Sequence, residues 1–466
     1  MDLTKVLAEA VAHVRAWEAE WGPFEPHPSL AVDEEKLTAA LAAYTERLRG
    51  NYPFFHPRYA GQMLKPPHPA AVAGYVAAML INPNNHALDG GPPTGAMEKE
   101  VVRELAGMFR FPADALGHLT SSGTIANLEA LWVARELRPD RAVAFSAEAH
   151  YTHGRMSEVL RVPTVPVPAD AGGRIRLDAL EDALRTGAVG TVVLTAGTTA
   201  LGAVDPVADA LDLCARYDCR VHVDAAYGGF FTLLAHDDAG PLAPETRRHL
   251  RAVARADSVA IDPHKHGLQP YGCGAILFRD PSVGRFYRHD SPYTYFTSDA
   301  LHLGEISLEC SRAGAAAGAL WLTLRLLPLR ADEGLGPVLA AGLRAARRWH
   351  ALLDADAALH PFTTPELDIV TFFAEPDPLR ASTVDAESQR IFSEAMRAPD
   401  DPVFLSVLRV GSEALRARLP DLVADVPQAR ILRSVLMKPE HEAYVPRLHD
   451  RVRSLAGART FDARRG

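Results

Sequence analysis

Lysine is scarce in this chain. Only six occur in 466 residues, and arginine supplies most of the positive charge. Cysteine is scarcer still. Four of them (Cys214, Cys219, Cys273 and Cys310) in so long a chain give no disulfide framework and fit a reducing compartment. No basic block is present and the net charge is -9, which argues against nucleic acid as a partner. Long apolar runs are missing too. PAAVAGYVAAMLI and AGAAAGALWLTL are too short for a membrane span and read as buried helices. The first residues, MDLTKVLAEAVAHVRAWEAEWG, are amphipathic and charged, without the apolar core of a signal peptide, so the cytoplasm is the expected location and no membrane partner is expected. There is no internal repeat or low-complexity tract. What remains is 48% hydrophobic and 23% charged, ordinary for a globular protein and ample for a large core with a smaller second domain.

Against that background one lysine stands out. In SVAIDPHKHGLQPYGCGAILF, the apolar run Ser258 to Ile261 reads as a strand, Asp262-Pro263-His264 ends it, and Lys265 follows. A second apolar run, Gly274 to Phe278, comes soon after, so Lys265 sits on a turn between two buried segments. It is either a surface lysine that happens to follow Pro-His or a lysine that forms an imine with an aldehyde cofactor. Burial favours the neutral, nucleophilic amine that the second role needs. Upstream, Val221 to Val223 is another apolar run, and it ends in Asp224, 41 residues before Lys265. A lysine and a carboxylate at neighbouring strand ends suit pyridoxal 5'-phosphate (PLP). The lysine binds the aldehyde, and the carboxylate keeps the ring nitrogen protonated so that the ring can accept a carbanion's electrons.

Three further stretches fit the same frame. In LTSSGTIANLEALWVAREL, Ser121, Ser122, Gly123 and Thr124 precede apolar positions at helical spacing, Ile125, Leu128 and Trp132. A helix start with free N–H groups and hydroxyls beside it is an anion site, or else an ordinary N-cap. The strand Ala142 to Phe145 leads to AEAHYTH, with His150 and His153 on one possible helical turn. Neither has carboxylate or cysteine companions at metal-ligand spacing. Val192 to Leu194 read as a strand ending in TAGTT, where Gly197 permits close backbone approach to a ligand. Strands alternate with helices throughout, the pattern of a doubly wound, mainly parallel sheet, and the candidate residues follow strands or open helices, where such sheets bind ligands. Towards the N-terminus, Asn85, His86 and Pro92 lie in a loop rich in Asn, Gly and Pro, NPNNHALDGGPPTGAMEKE.

Taken in order, SSGT, AHYTH, TAGTT, HVDAAY and DPHK resemble the group II PLP-dependent amino-acid decarboxylases, over roughly residues 55 to 445 and most strongly from 118 to 280. The resemblance implies an α/β fold: the fold type I PLP-dependent transferase architecture, with a mainly parallel seven-stranded sheet in the large domain and a small C-terminal α+β domain. It divides the chain into an N-terminal helical arm (1–70), a PLP-binding domain (71–334) and a small domain (335–466). It implies that Lys265 is the cofactor lysine and that His150 stacks on the ring and helps protonate the intermediate. Ser122, Gly123, Thr124, Thr198, Asp224, Ala226 and His264 would be cofactor contacts, with Thr199 in the same GTT segment. A loop tyrosine, Tyr293 or Tyr295, would return a proton after carbon dioxide leaves; Tyr293 is preferred from its Ser-Pro-Tyr context. Arg312 or Arg433 would meet a substrate carboxylate. His266, directly after the lysine and followed by QPYG, departs from the family's pattern and is expected to face the substrate. The expected reaction is decarboxylation of an L-amino acid by a homodimer with no metal. A transaminase, a carbon–carbon lyase or a non-catalytic PLP-binding relative is the alternative on the same scaffold, and metal-dependent hydrolysis through His150, His153 and His222 is the alternative outside it.

Overall fold

The computed structural model describes residues 2–288 and 303–457. Its centre is a seven-stranded sheet built from β1 (Leu116–Thr120), β2 (Ala142–Ser146), β3 (Thr164–Val167), β4 (Val189–Thr195), β5 (Arg220–Asp224), β6 (Ser258–Ile261) and β7 (Gly274–Phe278), in the order β1-β7-β6-β5-β4-β2-β3. Neighbouring pairs from β3 to β6 are parallel, and β7 runs antiparallel to both β6 and β1. β1 therefore points the same way as β6, and six strands end at one edge of the sheet.

The apolar runs locate five of these strands, because both faces are covered and the strands read as continuous hydrophobic segments. β4 and β7 are buried along their whole length. Two strands escape that signal. β1, LGHLT, carries a glycine and a histidine; a Cβ at Gly117 would lie 2.6 Å from the Ile276 carbonyl oxygen, so the glycine is needed for close pairing with β7. β3, TVPV, contains Pro166 and lies at the sheet edge, where a strand tolerates a residue that cannot donate.

A second, four-stranded antiparallel sheet, in the order β10-β11-β9-β8, is formed by β8 (Leu359–Pro361), β9 (Ile369–Ala374), β10 (Ser406–Gly411) and β11 (Gln428–Val435). Its core packs around Trp349, on the helix Leu335–Asp354, with Phe372, Ile391 and Leu432. The segment just before residue 62 belongs to this sheet's surroundings as well. Ala60 N–H donates to the Phe404 carbonyl (2.9 Å) and Val435 N–H to the Ala60 carbonyl (2.9 Å), which ties the later part of the expected N-terminal arm (1–70) to this sheet. That arm holds the helices Leu3–Ala19 and Glu34–Leu48. The second of these has no buried residue.

Candidate active site

The carboxyl ends of β1, β2, β4, β5 and β6 converge on one cavity of about 450 Å³, within the range of roughly 300–1,000 Å³ usual for small-molecule sites. Ser122, Gly123, Thr124, His150, Asp224, Ala226, His264 and Lys265 all line it. β6 delivers Lys265, on the turn between β6 and β7. Its Nζ is 3.0 Å from Asp262 Oδ2, so the lysine has a carboxylate partner three residues earlier in the chain. β5 delivers Asp224, which is 5% exposed. Burial on its own would push its carboxyl up; the hydrogen bonds from His153 and the Ala226 N–H, with Lys265 nearby, outweigh burial and hold it well below the usual carboxylate range.

After β1 the chain turns through Ser121 and Ser122 into the helix Gly123–Leu137. Ser122 caps it by accepting from Ile125 N–H at 3.4 Å, and the first N–H groups of the helix have no intrahelical acceptor. Gly123 is required by packing: a Cβ there would fall 2.6 Å from Asp262 Oδ2. After β4 the TAGTT turn reverses through Gly197, whose φ of +96° suits glycine. Here the sequence-based expectation needs correction. Thr198 is fully buried and its Oγ1 accepts from Ala203 N–H at 3.1 Å, which closes the turn, and it is the next residue, Thr199, that lines the cavity.

His150 follows β2; burial pushes its imidazole below the ordinary value. His264 Nδ1–H donates to the Cys273 carbonyl (2.8 Å), and the ring packs on Tyr271, ring centroids 4.7 Å apart. His153 and His222, grouped with His150 in the metal alternative, have other partners. His153 Nε2 is 2.9 Å from Asp224 Oδ2, and His222 lies between Ser258 Oγ (2.9 Å) and Asn127 Oδ1 (2.8 Å).

Other expected contacts fall elsewhere. His266 is 2% exposed and turns away from the cavity: Nδ1 meets the Tyr227 carbonyl (2.9 Å) and Nε2 meets Asp368 Oδ2 (2.9 Å), so it does not face a substrate. Arg312 is bound to buried Glu98, to the Leu119 carbonyl (2.8 Å) and to the Asn85 carbonyl (3.2 Å). Asn85 is itself held by Glu98 Oε2 (2.6 Å) and Thr94, so this group supports the helix Pro92–Met108 and lies outside the cavity lining; His86 and Pro92 do not line it either. Arg433 is buried and donates to the Thr199 and Ala200 carbonyls, one of them belonging to a residue of the cavity wall. Tyr293 and Tyr295 lie outside the described residues. Sequence reasoning missed Asp262, Tyr227 and Tyr271 as lining residues. Asp262 was legible as the first residue after β6, but nothing local marked it as the partner of Lys265.

PLP presents an aldehyde, a ring nitrogen and a phosphate. The cavity presents an amine, a buried ionised carboxylate and a helix start with unspent N–H groups, a donor set that fits. Fold and cavity together thus define a cofactor-dependent enzyme of the doubly wound class. Comparison with known proteins takes this further. Residues 54–375 match the pyridoxal-dependent decarboxylase conserved domain. The chain is 28% identical over 473 residues to an L-tyrosine decarboxylase of Enterococcus faecium, covering 79% of this chain and 77% of that one. It is 31% identical over 320 residues to a probable L-tyrosine/L-aspartate decarboxylase of Methanothermobacter thermautotrophicus, covering 68% of this chain and 82% of the other. The fold matches that of mouse CSAD with a TM-score of 0.79 at 22% identity, over 98% of this chain and 99% of that one. The chain belongs to the pyridoxal-dependent decarboxylase family. It is a PLP-dependent amino-acid decarboxylase, a lyase, with the seven-stranded and four-stranded sheets of that fold.

Proposed function

We propose that Lys265 is the residue that carries PLP and that Asp224 pairs with its ring nitrogen, for the decarboxylation of an L-amino acid to its amine. The observation that carries this reading is that the two side chains, from different strands, open on one cavity. Bound there, PLP supplies an electron sink for the bond that breaks. Ser122, Gly123 and Thr124 hold the phosphate through the helix start. His150 covers the ring face and is available for proton transfer, its imidazole kept neutral by burial near pH 7. Asp262 Oδ2 lies 3.0 Å from Lys265 Nζ and would orient that amine by accepting a hydrogen bond from it.

Of the two candidate arginines, Arg433 is the better partner for a substrate carboxylate. Arg312 is already paired with Glu98, whereas Arg433 has no carboxylate at ion-pair distance among the described residues and touches the cavity wall. Tyr293 remains the proposed loop proton donor, ahead of Tyr295. The test is an amine-product screen with PLP-loaded protein against a panel of amino acids. Carbon dioxide with amine is expected, and keto-acid formation would assign a transaminase instead. Lys265→Ala should lose the visible band of the lysine-bound cofactor, and a band that persists would refute the assignment.

The working form is a homodimer, in the cytoplasm. On the helix Glu34–Leu48, Leu37, Leu41, Tyr44 and Leu48 form an apolar stripe at helical spacing, each about half exposed, and Trp21 and Phe24 nearby are about four-fifths exposed. Such a contiguous apolar surface calls for a covering partner, and a second copy of this chain supplies one.

A further inference from the structure

We propose that His153 is a positioning residue for the cofactor, which acts through Asp224: its Nε2–H holds that carboxylate ionised and aimed at the ring nitrogen. The inference rests on the reading that Asp224 pairs with that nitrogen.

The geometry is specific. His153 is the second residue of the helix Thr152–Leu160 and has no exposed surface. Its Nε2 lies 2.9 Å from Asp224 Oδ2, while Oδ1 accepts the Ala226 N–H at 3.1 Å. The ring packs on Phe145 at 6.0 Å between centroids. Its Nδ1 is buried and finds no acceptor or donor among the described residues. That orphan atom decides the protonation state. A cationic ring would bury a second N–H with nothing to receive it, whereas a neutral ring protonated on Nε2 buries only a lone pair, the cheaper arrangement. The pair Asp224–His153 then carries one net negative charge. A protonated ring nitrogen is the cation that balances it. A cationic His153 would neutralise Asp224 and weaken its hold on that N–H.

The other charged or titratable groups around the pair are Lys265, His150, Asp262 and His222. Lys265 is paired with Asp262, and His222 is occupied by Ser258 and Asn127. His153 is therefore the one side chain with a hydrogen bond to Asp224 among the described residues. Remove it, and burial drives Asp224 towards its protonated form, which cannot pair with a protonated ring nitrogen.

Two variants separate donation from bulk. Gln keeps an N–H at about the same reach; Leu fills the space without one. The readouts are the PLP dissociation constant of the apoprotein, the pH dependence of the bound cofactor's absorption band, and kcat and KM measured separately. His153→Leu should weaken PLP binding about 10- to 100-fold, the worth of one bond to a charged group. It should also shift the pH at which the band changes and lower kcat with little effect on KM. His153→Gln should restore all three to near the parent values. Parent-like binding and an unshifted band in His153→Leu would overturn the proposal, as would equal losses in both variants. Asp224→Asn tells the two readings apart. If it too binds PLP normally, the assignment of Asp224 falls; if it fails while His153→Leu does not, only the role of His153 falls. Should His153→Leu not fold, the parent holoenzyme labelled with ¹⁵N-histidine decides. One protonated and one bare nitrogen on His153 across the working pH range is expected, and two protonated nitrogens would refute the argument.

Discussion

Two glycines near helix starts should respond to alanine with opposite signs. At Gly123 a Cβ would stand 2.6 Å from Asp262 Oδ2 and 2.8 Å from Oδ1, closer than side-chain carbons approach oxygen. Asp262 cannot swing aside freely, because it is 3% exposed and pairs with Lys265. Overpacking of this kind costs about 1–3 kcal/mol. Alanine recovers about 0.5–1 kcal/mol of helix propensity, so Gly123→Ala should lose roughly 1 kcal/mol net, and at most about 2.5 kcal/mol. At Gly154, in the helix Thr152–Leu160, an added Cβ meets nothing within 4 Å, and alanine there should gain about 0.5–1 kcal/mol. Urea midpoints of the two apoproteins, followed by circular dichroism, should therefore fall on opposite sides of the parent. Gly123→Ala should also weaken PLP binding by roughly 5-fold if the strain is borne at the site, since about 1.4 kcal/mol is a factor of ten. A Gly123→Ala protein as stable as Gly154→Ala, with unchanged PLP affinity, would refute the claim that this glycine is required by the approach of Asp262.

Asp205 is fully buried and accepts from the Ile175 and Thr195 N–H groups, both at 2.7 Å, so Asp205→Asn, which turns an NH₂ towards one of them, should cost about 1–3 kcal/mol in urea. Burial pushes His222 and His441 down to about 3 from an ordinary 6.5. Between those values the unfolded chain holds protons that the folded chain does not, so stability should fall as pH drops from about 6.5 towards 3, and His441→Gln should make that slope shallower in acid titrations of the urea midpoint. Leu41→Glu with Tyr44→Glu places charges on the exposed stripe of Glu34–Leu48 and should shift sedimentation from dimer to monomer; a dimer that persists unchanged would move the interface elsewhere.

The legible part of the fold was its buried strands. β6 and β7 coincide with the apolar runs Ser258 to Ile261 and Gly274 to Phe278, and β2, β4 and β5 contain the runs that predicted them. Strands sealed on both faces have to be apolar throughout, and that is written locally. β1 and β3 were hidden because one is shaped by its approach to β7 and the other tolerates proline at an edge. In the second sheet, β8 is three residues long, too short to carry a pattern.

The same division runs through the site. Residues that follow directly from a strand end, such as Asp224, Lys265 and Ser122, could be picked out because the chain itself puts them at the sheet's edge. Which neighbour each one meets was not in the local pattern. Whether Thr198 or Thr199 reaches the cavity depends on how the turn closes on Ala203. Whether His266 looks at the cavity or at Asp368 depends on where the second sheet docks, 102 residues further along the chain. The link from His153 to Asp224 spans 71 residues and exists only because β2 and β5 flank β4. Sequence by itself determined the chemical groups available and the strand ends that carry them. The tertiary structure decided the pairings, because hydrogen bonds and ion pairs act over a few ångströms, and strand order, which no short window of residues contains, sets which groups come that close.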